Sequence, residues 1–327
     1  MPGTVRASHG WIMLRHVLDV IDLLDDPAAD GARLAGYLDE MAGPSGAGAE
    51  VATVSGEKGP TDFVRVRVPG RRGRTVGGGA PTLGVIGRLG GIGARPDAIG
   101  FVSDGDGAAA VLSAAAKLLS MRARGDVLDG DVVLATHVCP DAPTLPHDPV
   151  PFMSAPVDMA TMNAHEVTAD MDAVLSIDTT KGNTIINHRG LALSPTVKEG
   201  YVLRVSDRLA ALLAVVTGEP VVTYPVTTQD ITPYGNGVYH LNSILQPATA
   251  TAAPVAGLAI TAAAPVPGSA TGASHETDIA AAARFAVEAA KEFGSGALTF
   301  HDEAEYAALV ARYGSLAHLQ TLGTEPP

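Results

Sequence analysis

Four apolar runs constrain this chain more than any other feature. They read "TLGVI" from Thr82, "DVVLAT" from Asp131, "AVLSI" from Ala173 and "VAGLAIT" from Val255. None alternates apolar with polar residues, so none can turn a face to water. Strands of this kind belong in a sheet covered on both faces. Helical patterns separate several of them, among them "AAAVLSAAAKLLSMRARG", which Gly125 stops. The expected fold is α/β: a single domain with a mixed, mostly parallel sheet covered by helices on both faces. Residues 1–12 read as an extension ahead of a domain over 13–327.

Weaker signals fill in the rest. "MLRHVLDVIDLLDD" predicts a helix from Met13 that Pro27 closes, and Asp30 caps a second helix ending before Gly43. Alternation on either side of Gly56 to Pro60 predicts a hairpin. "AIGFVS" predicts a short strand ending at Ser103, and "EPVVTYPV" and part of "GVYHLNSIL" read as strand. Pro140 to Pro156 reads as a long loop, suspect of function for its length. Helices follow at "SDRLAALLAVVTG", at Ala280 to Phe293 and at "DEAEYAALVARYG". Ser274 is the expected cap of the second of these, with Glu276 and Asp278 complementing the helix dipole.

Composition excludes several classes. A formal charge of −13 is wrong for a nucleic-acid partner, which needs clustered Lys and Arg. The basic stretch "RVRVPGRRGR" is flanked by glycine and reads as a hairpin or loop. No apolar run reaches membrane-spanning length, and the N-terminus lacks the pattern of a signal peptide. The one cysteine, Cys139, cannot form an internal disulfide, which favours a reducing compartment, hence a cytoplasmic protein. Aromatic residues make up only 4% and mean hydropathy is +0.20, which suits close helix-on-sheet packing and a homo-oligomer.

Ligands of open α/β sheets sit at the carboxyl ends of strands. Four such ends carry polar residues here: Asp104 and Asp106 after "IGFVS", His137 and Asp141 at "DVVLATHVCPD", Asp178 after "AVLSI", and His275 with Glu276 in the "SHETD" segment after "VAGLAIT". Gathered on one edge, Asp104, His137, Asp178 and His275 would suit a divalent metal such as zinc. An imidazole at a helix start is otherwise unwelcome, because the helix N-terminus disfavours its protonation. Arg88 could hold a substrate carboxylate, and Asp230, Tyr234 and His240 could shape a substrate pocket. "GRLGGIGARP" does not open a helix, so it is no dinucleotide loop, and "SIDTTKGN" lacks the glycines of a phosphate loop. Cys139 near His137 invites a nucleophile reading, against the commoner role of a packed small hydrophobe.

The order of these elements resembles the co-catalytic zinc aminopeptidases. "SDGDGAAAVLSAAAKLL", "GDVVLATHVCPD", "AVLSID" and "GASHETDIAAAARFAVEAAKEF" stand where that family has a metal-binding Asp before an Ala-rich helix, paired acids, a ligand Asp and a late His. Where it has His-x-Asp, this chain reads "GVIGRLGGIG", so the resemblance implies one metal ion rather than two. The sequence as a whole also looks like a bacterial family catalogued as Domain of Unknown Function 1177. The resemblance implies a metal-dependent hydrolase of an amide or peptide-like small molecule, with Asp141 or Glu276 moving the proton of a metal-bound water. The alternative is a metal-free small-molecule binding or regulatory protein on the same fold.

Overall fold

A computed structural model describes residues 12–45, 47–90, 93–228 and 238–323. The expected first helices are present as α1 (Met13–Asp25) and α2 (Gly31–Ala42), the second capped by Asp30. The hairpin is β1 (Ala49–Gly56) and β2 (Gly59–Val68), its turn shorter than expected. Then follow β3 (Leu83–Gly90), α3 (Asp106–Ala123), β4 (Val132–Val138), β5 (Thr144–Leu145), β6 (Phe152–Met153), α4 (Met159–Glu166) and β7 (Ala173–Thr180). The chain continues as β8 (Gly190–Lys198), β9 (Tyr201–Val202), α5 (Asp207–Thr217), β10 (Val222–Thr223), β11 (Val255–Thr261), α6 (Glu276–Ser295) and α7 (Glu303–Tyr313).

The main sheet runs in the order β1-β2-β4-β3-β7-β11-β8-β10, with β9 paired to β8. The neighbours β4, β3, β7 and β11 are mutually parallel, so their carboxyl ends share one edge. These are the four apolar runs, and both faces of them are covered. One face packs on α1, α2, α3, α5 and α6 through Val17, Leu34, Leu118, Leu209 and Phe285. The other holds Ile86, Val133, Val174 and Ala259 under the 3-10 segment Ser243–Thr249. No helix among the described residues is long and apolar enough to cross a membrane.

Four local expectations do not hold in full. "AIGFVS" forms no strand: Phe101 N–H donates to Asp25 at the end of α1 and Ser103 N–H to the Ala270 carbonyl in the loop before α6. "GVYHLNSIL" contributes the 3-10 segment, and "EPVVTYPV" keeps only the two residues of β10 in the sheet. The Pro-rich loop carries β5 and β6, and α4 behind it had no sequence signal strong enough to announce it.

Candidate functional site

The site is built on the carboxyl edge of the four parallel strands. The register pairs Gly87 of β3 with Thr136 of β4 and Ile177 of β7, one step before Arg88, His137 and Asp178. β3 shifts register against β4 after Gly87, and Arg88, His137 and Asp178 follow as a row at the ends of adjacent strands. The row is buried, Asp178 being 5% exposed and His137 fully covered.

Buried charge must be matched internally. The match comes from α4, whose first turn Asp158 caps. Arg88 Nη1 lies 2.9 Å from Glu166 Oε2, and Nη2 donates to Asn163 Oδ1 at 2.8 Å. His137 Nδ1 is 2.5 Å from Glu166 Oε1. Asn163 in turn donates to Thr249 Oγ1 at 3.2 Å. Phe63 packs on His137 and stacks on His165 of the same helix. Arg88 is thus engaged by the protein: a guanidinium this deep needs acceptors at hand whether or not a ligand is present.

A second cluster sits where α3 starts. Gly107 lets α3 approach the strands: a Cβ there would lie 2.6 Å from the Ile177 carbonyl oxygen and 2.9 Å from that of Arg88. This approach brings Asp104 and Asp106 to the edge. Asp106 is buried and binds Lys181 Nζ through one oxygen and Ser274 Oγ through the other. Lys181, just past β7, also donates to the Ala273 carbonyl at 3.0 Å. Asp104 Oδ2 accepts from Met153 N–H at 2.9 Å. Gly268 packs so tightly on that carboxylate that no side chain fits there.

The "SHETD" segment is explained by this cluster. Ser274 does not cap α6; it donates to Asp106 instead, and His275 takes the cap position with no side-chain cap bond. Burial raises the pKa of Asp106, and His275 adds a small influence in the opposite direction.

The electrostatics follow from burial. Asp178 is raised to about 8, first by burial and then by the neighbouring Asp104 charge. Asp104 is raised to about 6 by burial, with Asp106 adding to it and the Met153 N–H opposing. Asp106 is raised by burial although Lys181 opposes the shift. Cys139 is fully buried and its thiol is pushed up to about 12, so it packs as a hydrophobe and is no nucleophile at neutral pH.

The remaining expected residues are more scattered. Asp141 stands about half exposed beside Arg95 at 3.4 Å, against the β1–β2 turn at Gly59. Glu276 and His240 are exposed. Asp230 and Tyr234 lie outside the described residues. The residues that complete the site, Glu166, Asn163, Lys181 and Ser274, were not singled out by spacing. Glu166 sits on a helix too short to show a period, and Lys181 follows no phosphate loop that would mark it.

The metal expectation meets a poor fit. Among the described residues no group of three or more His, Cys, Asp or Glu side chains is placed to hold a metal ion. Of the four candidates, His137 faces Glu166, Asp104 and Asp178 each accept a backbone N–H, and His275 flanks an aspartate already bound to a lysine. Among the described residues, no three of these candidates are placed around a common centre.

Residues 52–323 match the family described as protein of unknown function (DUF1177). The chain belongs to that family. Solved structures similar to it include cytosol aminopeptidase from Coxiella burnetii, at 16% identity and a TM-score of 0.45, covering 84% of this chain and 68% of that one. A mutant of tomato leucine aminopeptidase is also similar, at 15% identity and a TM-score of 0.51, covering 84% of this chain and 61% of its own length. The second likeness shows an aminopeptidase-like fold for this DUF1177 member. No curated protein sequence matches it.

Proposed function

We propose that this protein hydrolyses an amide bond in a small, peptide-like molecule at the carboxyl edge of its sheet. The observation that carries the reading is the setting of Asp104 and Asp178. Both are packed into one edge, while the two cations nearby are committed elsewhere, Arg88 to Glu166 and Lys181 to Asp106. Two carboxyls in such a place separate into a base and an acid. Asp104, which keeps some contact with solvent, is ionised at neutral pH and takes a proton from the attacking water. Asp178 keeps its proton and gives it to the leaving nitrogen as the C–N bond breaks. Transfer of the proton from Asp104 to Asp178 then resets the pair. The N-terminus of α6 supplies the positive end of a helix dipole at the same edge.

The test is turnover of a panel of amino-acid amides and dipeptides against pH. The expected profile is a bell with limbs near 6 and 8, which belong to the pair and not to either residue alone. Asp104→Asn and Asp178→Asn should each lose about 10²-fold or more in kcat. Either variant turning over at the wild-type rate sinks the acid–base assignment. A second reading is favoured by the internal pairing of Arg88 with Glu166 and of Lys181 with Asp106: a binding protein that keeps the fold without the reaction. Calorimetric binding of panel members with no turnover by the wild type selects it.

A further inference from the structure

The acidic edge is held together by cations that are part of the chain. Asp104, Asp106 and Glu166 converge there beside the protonated Asp178, a concentration of buried acid groups that calls for a counter-charge. The structure provides two. Lys181 Nζ is buried against Asp106, with the Ala273 carbonyl as a further acceptor, and Arg88 is buried against Glu166 and Asn163. Each comes from a strand end at this edge: Arg88 near the end of β3 and Lys181 just beyond β7. A lysine in the middle of such a cluster also repels any divalent cation approaching Asp106.

We infer that Lys181 and Arg88 are built-in counter-charges that make this edge independent of a metal ion, and that a divalent cation gains a foothold only when Lys181 is removed. The inference goes beyond hydrolysis, since it holds whether the site turns substrate over or only binds it.

The experiment compares wild type with Lys181→Met by thermal unfolding and metal analysis. Each protein is measured in chelator and then in excess zinc or manganese. The wild type should carry substoichiometric metal, with the same transition in chelator and in either metal. Lys181→Met leaves Asp106 buried without its cation, so its transition should fall in chelator and recover when metal is added. Recovery is expected because a ligand that binds only the folded state stabilises it by mass action.

Stoichiometric metal in the wild type, with a transition that drops in chelator, overturns the inference. So does a folded Lys181→Met that ignores both metals. Where Lys181→Met does not fold, the double variant Asp106→Asn, Lys181→Met decides. It removes both charges, and a transition close to wild type in chelator supports Lys181 as a counter-charge, whereas failure to fold overturns that role. Because these readouts use no substrate, they are independent of the kinetics of Asp104→Asn and Asp178→Asn, and the two readings can fail separately.

Discussion

Asp178 has a stability consequence whose sign follows from its raised pKa. Between the ordinary aspartate range and about 8, the folded state keeps a proton that the unfolded state has lost. The folded state then binds more protons, so stability falls as pH rises through that window and levels off above it. Asp178→Asn removes the cost and keeps an oxygen to accept the Thr179 N–H. The variant should be more stable than wild type at pH 7, by on the order of a few kcal/mol, with the gain fading toward pH 4. Chemical denaturation at both pH values checks this, and a gain that does not change with pH would show that the carboxyl is not the cause. Glu166 makes the opposite case. Glu166→Gln strands the Arg88 charge in the interior and should cost about 3–5 kcal/mol, whereas replacing Arg88 and Glu166 together with Met and Leu should cost much less. Equal losses in the single and double variants would mean that packing, not charge, matters there.

At the scale of elements, the site depends on how closely α3 lies on the sheet. Gly107 sits where a Cβ would press on two strand carbonyls, while Gly36 in α2 has open space around its Cα. Gly107→Ala should destabilise by about 1–3 kcal/mol, because the helix start must shift. Gly36→Ala should stabilise by about 0.5–1 kcal/mol, the ordinary gain at an exposed helix interior. Urea midpoints of the two variants test the pair, and a neutral Gly107→Ala would show that the close approach is not needed. Such a shift also moves Asp104 and Asp106, so Gly107→Ala should lose activity out of proportion to its stability. The 3-10 turn at Ser103–Gly105 belongs to the same device, tied to the loop before α6 through Ser103 and the Pro267 carbonyl at 2.8 Å.

Across the whole molecule, stability is uneven in a way that hydrogen exchange can read. Helix α3 is buried on nearly every side, from Asp106 through Leu119. β1 is an edge strand with few covered side chains. Amides of α3 should exchange only through global unfolding, and those of β1 that face away from β2 through local opening. Equal protection of both would indicate that another surface covers β1 in solution.

The apolar runs determined by themselves that the chain forms a doubly covered, mostly parallel sheet. An unbroken apolar strand has no alternative to burial on both faces, and that holds for β3, β4, β7 and β11 whatever their order. The sequence also pointed to one edge of that sheet, because parallel strands present their carboxyl ends together, and Asp104, His137 and Asp178 lie along it. It could not decide what those residues touch. The partners of Arg88 and His137 come from α4, an eight-residue helix with little amphipathic pattern, and the partner of Asp106 comes from Lys181, which is distant along the chain. Whether a buried carboxylate meets a metal, a lysine or another acid depends on a few ångströms of packing between elements far apart in sequence. Local periodicity carries no record of those distances, so only the tertiary structure could show an acidic edge already matched from within.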